Sequence, residues 1–202
     1  MWRHVSLVSL LVILTACGTS PKTEFYVLNA DRGLMVNRAN AHTGPAVGVW
    51  KVHLPDFMER SEIVTRNNDH QIILGDFSWW AGNLRENMTR LIVSELSEVL
   101  QSRRVVMSPW EAYHKIDYQT IIRVERFDGV LGGEVVLRGV WSLLDTNGQK
   151  ELRREAFEFK ASAAGSPAAA DSSYGEMVAT MSRLAVQLAE QMAKGILEQE
   201  SM

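Results

Sequence analysis

The sequence is short of the residues that cross-linking and most catalysis need. One cysteine, Cys17, stands in 202 residues, so no disulfide can form within the chain. Beyond the N-terminal segment the histidines His42, His53, His70 and His114 are scattered, without HExxH or HxH spacing. There is no GxSxG elbow, no GxxxxGK phosphate loop and no CxxC pair. The short signatures of zinc hydrolases, serine hydrolases, nucleotide-binding loops and dithiol redox proteins are therefore missing. The chain is not expected to be an enzyme or to hold a metal. A long basic run is missing too, and the formal charge of −3 gives no support for nucleic-acid binding. No internal repeat recurs at a solenoid period.

What is present begins at the N-terminus. Arg3 and His4 form a basic start, and Val5 to Leu14 are apolar apart from Ser6 and Ser9. The small residues Thr15 and Ala16 then precede Cys17. This is the pattern of an export signal, and its apolar run is far shorter than the ~20 residues a membrane-crossing helix needs. One reading is an ordinary cleaved signal with an incidental cysteine after it. Leu14-Thr15-Ala16-Cys17, however, resembles the lipobox of bacterial lipoproteins. That resemblance implies cleavage between Ala16 and Cys17, a diacylglyceryl group on the Cys17 thiol and acylation of the new amino group. A covalent acyl lipid on Cys17 is then the non-protein group to expect, with no other cofactor. Each buried methylene contributes ~0.8 kcal/mol, so two or more chains anchor stably where one is marginal.

Gly18 follows the cysteine where an aspartate would resemble an inner-membrane retention signal. The expectation is thus the outer membrane, on its periplasmic face. The organisation read from the chain is a signal peptide over 1–16, a lipidated tether over 17–24 and one domain over 25–202. Residues 18–24 could extend ~25 Å. Loss of 1–16 removes one cation, Arg3, and leaves 20 basic against 24 acidic residues. Broad attraction to anionic headgroups is not expected from such a chain.

Periodicity supplies the elements. Phe25 to Leu28 is a short strand signal, followed by a loop over Asn29 to Pro45. Val47 to Leu54 (VGVWKVHL) reads as a strand that ends at Pro55, which cannot donate to a ladder. Ile63 to Thr65 and Gln71 to Leu74 flank the polar turn Asn67-Asn68-Asp69 as a hairpin. Leu84, Met88, Leu91, Ile92, Leu96, Val99 and Leu100 recur at helical steps, with charges opposite. That stripe could meet lipid, but packing on the protein's own sheet is the simpler use. Val105 to Met107 is a short strand signal. Gln119 to Phe127, Glu134 to Leu144 and Glu151 to Lys160 form a meander, with turns at Asp128 to Gly133 and around Asn147-Gly148. The latter is the best hairpin signal, because both residues tolerate positive φ. Ala161 to Ala170 is a small-residue linker. A second helix runs from about Ser173 to Leu197, with capping-box spacing at Ser173 and Glu176. Met177, Met181, Leu184, Leu188 and Met192 line one side of it. The order predicts an α+β single domain, a mixed, mostly antiparallel sheet with two amphipathic helices packed on it.

Two local features are candidates for function. Asp56, Glu59 and Arg60 could form a small polar site, or a solvated loop with local ion pairs. Trp79-Trp80 points two indoles in different directions at what reads as a loop-to-helix junction. One anchors the core while the other sits at an interface, or both are core residues on either side of a bend.

Several segments share order and spacing with one family. They are the lipobox, Phe25-Tyr26-Val27-Leu28, VGVWKVHLPDFMERSEIVTR over Val47 to Arg66, Trp80-Ala81 with Leu84, VERFDGVLGGEVVLRGVW over Val124 to Trp141, and the late helix entered through Tyr174. Together they resemble the ABC-type transport auxiliary lipoproteins, which include the lipoprotein of the paraquat-inducible system. The resemblance implies an outer-membrane lipoprotein that works with MCE-domain proteins, which carry lipids between the two membranes. The chain would be a docking subunit, with room for a homo-oligomer. The Ala-rich linker and the doubled tryptophan depart from the family pattern. An alternative is a periplasmic protein that holds one lipid in an apolar groove, motivated by the adaptable thioethers of the Met-rich second helix.

Overall fold

The computed structural model describes residues 22–30, 44–68, 70–111, 113–163 and 170–202, apart from the side chains of 170–173. The signal segment, the Ala16–Cys17 junction and most of the tether lie outside the described residues. So do 31–43 of the first loop and 164–169 of the linker. In chain order the elements are β1 (Glu24–Tyr26), β2 (Val47–Val49), β3 (Glu62–Asn68), β4 (Gln71–Trp80), α1 (Leu84–Val99), β5 (Val105–Met107), β6 (Tyr118–Gly129), β7 (Glu134–Leu144), β8 (Glu151–Ser162) and α2 (Ala170–Glu200), with a 3-10 turn at Asp56–Met58. The fold is α+β.

The strands form two sheets. One has the order β5-β2-β6-β7-β8, the other β1-β4-β3. The long ladders β6–β7, β7–β8 and β3–β4 are antiparallel, as the meander and hairpin signals require. The three-residue ladders β1–β4, β2–β5 and β2–β6 are parallel. Both helices pack on one face of the five-stranded sheet. Val135, Leu137, Trp141 and Leu143 of β7 point into that layer and are fully buried. They meet Met177, Met181, Leu184, Leu188 and Met192 of α2 in the same cluster as Leu84, Met88, Ile92 and Leu96 of α1. The apolar stripe of α1 is therefore core.

Several boundaries differ from the sequence reading for identifiable reasons. β2 stops at Val49 because the chain then turns toward α1, where the Val52 N–H donates to Thr89 Oγ1 at 3.1 Å. It rejoins β6 at His53, whose N–H donates to Ile122 O at 2.9 Å. β4 continues to Trp80, so Trp79 and Trp80 end a strand and are separated by three residues from α1. Asn83 caps that helix by accepting the Glu86 N–H at 3.2 Å. Asp128 and Gly129 belong to β6 and not to the turn after it. In the β7–β8 turn Gly148 takes positive φ but Asn147 does not. Asp145 Oδ1 organises that turn, accepting the N–H groups of Gln149 and Lys150 at 2.9 and 3.2 Å. α2 begins at Ala170, which puts Ser173 inside the helix and not at its cap.

Candidate interaction surfaces

Strand alternation settles where the paired indoles go, because successive side chains leave opposite faces of a strand. Trp80 is 3% exposed and lies in the core, while Trp79 is half-buried on the outward face. Trp80 is thus unavailable to a partner, and only Trp79 remains as an interface candidate of the two. Trp79 sits beside Phe25 in register on β1, the rings edge to face at 6.3 Å between centroids. Phe25 is 63% exposed, and Val27 and Phe77 are exposed near it in sequence or on β4. Phe77 lies where β4 loops out between Leu74 and Trp79, five residues opposite the two-residue step from Val64 to Glu62. The Trp79 Nε1–H donates back to Asp76 O at 3.2 Å, so its polar atom is satisfied within that loop.

A second aromatic cluster lies on the other face of the five-stranded sheet. In β2, Val47 and Val49 are buried inward, so Gly48 and the following Trp50 point outward. Trp110 covers Gly48 so closely that a Cβ there would stand 2.8 Å from its ring. Trp50 meets Trp110 edge to face at 5.3 Å and donates its Nε1–H to Gln119 Oε1 at 2.9 Å. Gln119 is held in turn by Thr146 O at 2.9 Å. Trp50 is 42% exposed. The sequence alone does not bring Trp50 and Trp110 together. Alternation in VGVW placed Gly48 and Trp50 on one face, but nothing local tied them to Trp110.

A groove of about 690 Å³ runs between the segment after β1 and the outer side of α2, lined by Tyr26, Val27, Val178, Ser182, Arg183 and Glu190 among others. The methionines of α2 are not among its lining residues, since Met177, Met181 and Met192 are buried in the core. The thioethers that motivated a lipid groove are consumed by packing. Asn29 N–H donates to Ser182 Oγ at 3.1 Å and ties the two walls together.

The polar candidates separate. Glu59 pairs with Arg85 of α1, Arg60 with Glu62 at 3.9 Å, and Asp56 opens the 3-10 turn. The three therefore do not converge: Glu59 ties the turn to α1, while Arg60 pairs only with the start of β3. The strongest polar cluster was not read from the sequence: Asp128, fully buried, accepts both oxygens' worth of hydrogen bonds from Arg66 Nε at 2.9 Å and one from Arg126 Nε at 2.8 Å. It clamps β3 to β6, and so one sheet to the other. Among the described residues no three His, Cys, Asp or Glu side chains gather as a metal site, and no helix is long and apolar enough to cross a membrane. Burial, and then the nearby Asp76 carboxylate, push the Tyr174 phenol above its usual range where α2 meets the β4 loop.

An α+β domain with a packed core and aromatic side chains on its surface is the class these features define. The chain belongs to the family of ABC-type transport auxiliary lipoprotein components, whose model matches residues 26–193. Its fold is similar to that of a protein of undescribed function in a crystal structure, at TM-score 0.68 and 21% identity, covering 87% of this chain and 99% of that one. It is equally similar to protein XCC0632 from Xanthomonas campestris, of the DUF330 family, at TM-score 0.68 and 14% identity over 89% and 99% of the two chains. A PelC dodecamer from Paraburkholderia phytofirmans matches at TM-score 0.47 and 12% identity over 77% and 89%. No curated protein matches the chain in sequence.

Proposed function

We propose that the protein is an outer-membrane-anchored lipoprotein, facing the periplasm, that docks an MCE-type intermembrane lipid transporter as an auxiliary subunit. It performs no chemistry and binds no cofactor beyond the acyl lipid on Cys17. The observation that carries this reading is a partly exposed pair of tryptophans, Trp50 and Trp110, on a packed core, in a chain whose family is that of transport auxiliary lipoproteins. Trp50 and Trp110 are the surface assigned to the partner. Aromatic anchors on a rigid sheet are the usual centre of a protein interface, since they offer large contact area at little cost in rotamer freedom.

The anchor has its own test. Cys17→Ser removes the thioether, and the variant should leave the membrane fraction for the soluble periplasm; retention as firm as wild type would refute the anchor.

A second reading has one observation in its favour. The groove beside α2 falls within the ~300–1,000 Å³ usual for ligand sites, so a single lipid held there is the alternative. Its walls carry Asn29, Ser182, Arg183, Gln187 and Glu190, which suits a polar headgroup better than a bare acyl chain. Mass spectrometry of the gently solubilised protein separates the readings, because the alternative requires a defined lipid beyond the Cys17 acyl chains.

A further inference from the structure

We propose that Phe25, Val27, Phe77 and Trp79 form a face that rests on the lipid bilayer holding the anchor. This inference takes the acylation of Cys17 from the reading above. β1 carries Phe25 outward and Tyr26 inward, where the Tyr26 ring lies 6.4 Å from that of Tyr174. Phe25 and Val27 are each at least half exposed, and Phe77 is 45% exposed on the loop of β4 next to Trp79. Apolar side chains crowded on one exposed face mark an interaction site.

The length of the tether names the occupant. Phe25 follows Cys17 by eight residues, which reach at most ~26–29 Å when fully extended. Among the exposed aromatic side chains it is the first after the anchor. Tethering of this length sets an effective concentration on the order of mM, so a contact too weak to hold a free protein becomes populated. The chemistry fits the headgroup boundary, where indole and phenyl rings with satisfied polar atoms are favoured. The Trp79 Nε1–H already has its acceptor in Asp76 O, so the ring enters without a stranded donor.

Charge sets the depth. Glu24, Glu62 and Asp76 flank the apolar side chains on β1, β3 and the β4 loop. Carboxylates are costly to dehydrate, so they stay in water and hold the face at headgroup level. The acidic balance of the chain rules against a seat driven by anionic lipid, and the contact is apolar.

The test uses the full lipidated chain in vesicles of phosphatidylethanolamine and phosphatidylglycerol. With Cys17 consumed by the acyl thioether, Phe77→Cys, Val27→Cys and Lys160→Cys each introduce the only free thiol for a nitroxide label. Lys160 is exposed on β8, on the face of the large sheet away from the helices. At 77 and 27, collisions with lipid-soluble oxygen should exceed those with a water-soluble nickel chelate several-fold, with the order reversed at 160. Equal nickel access at all three sites, in protein that floats with the vesicles, overturns the bilayer seat and leaves the anchor intact. Shielding of 77 and 27 from both reagents overturns it in favour of a protein covering the face. Failure to float overturns the anchor itself, and the inference with it.

Discussion

At the residue scale the two adjacent tryptophans separate cleanly. Trp80→Ala empties a core site and should cost about 3–5 kcal/mol, read as a lower urea midpoint with an unchanged slope. Trp79→Ala removes a half-exposed ring and should cost under about 1 kcal/mol by the same measurement. The doublet was legible as a place where two indoles diverge. Its placement was not, because nothing in the sequence told that β4 runs six residues past Leu74 and loops out on the way. Asp145 supplies a pH signature. The Lys150 and Gln149 N–H groups, in that order, hold its carboxyl below the usual aspartate range. A depressed folded pKa gives stability that is present above the unfolded value and lost as pH falls through the folded one. Denaturant midpoints from pH 7 down to below about 4 should therefore fall less steeply in Asp145→Ala than in wild type, and the variant should be the weaker protein at pH 7. Equal slopes would mean that the turn owes nothing to the carboxylate.

At the scale of elements, two glycines in α2 should respond in opposite directions. Gly175 has nothing within 4 Å of where a Cβ would stand, so Gly175→Ala should stabilise by up to about 1 kcal/mol through helix propensity. At Gly195 the Cβ would stand 2.8 Å from the Trp141 ring, because the helix backbone lies directly on that indole. Gly195→Ala should then destabilise by roughly 1–3 kcal/mol despite the better propensity. Thermal unfolding of both variants checks the pair, and a stabilised Gly195→Ala would disprove the close approach of α2 to β7. The contrast also shows which elements were readable. α1, α2 and the β6–β8 meander follow from 3.6- and 2-residue periods that burial enforces. β1, β2 and β5 were also readable as short strand signals, but each pairs in parallel with strands far away in sequence, and local pattern does not encode that pairing. The split into two sheets was invisible for the same reason, since the Arg66–Asp128 clamp between them spans 62 residues.

At the scale of the molecule, the family is that of transport auxiliary lipoproteins, and the domain carries aromatic side chains on its surface; the docking role proposed above belongs to this scale. The family was legible in the sequence because short motifs in a fixed order carry it. The Trp50–Trp110 cluster was not, since it is assembled by the sheet from residues 60 apart. α2 ends at Glu200 and Met202 is exposed, so a C-terminal tag leaves the fold undisturbed. The decisive measurement is an affinity pull-down of the full-length, C-terminally tagged protein from gently solubilised native envelopes, read by mass spectrometry. A docking subunit should bring down an MCE-domain protein in stoichiometric amount, and Trp50→Ala should cut that recovery about tenfold or more, as a hot-spot loss of ~2 kcal/mol implies. Recovery of the protein alone, carrying a defined lipid besides its Cys17 acyl chains, would contradict the docking account.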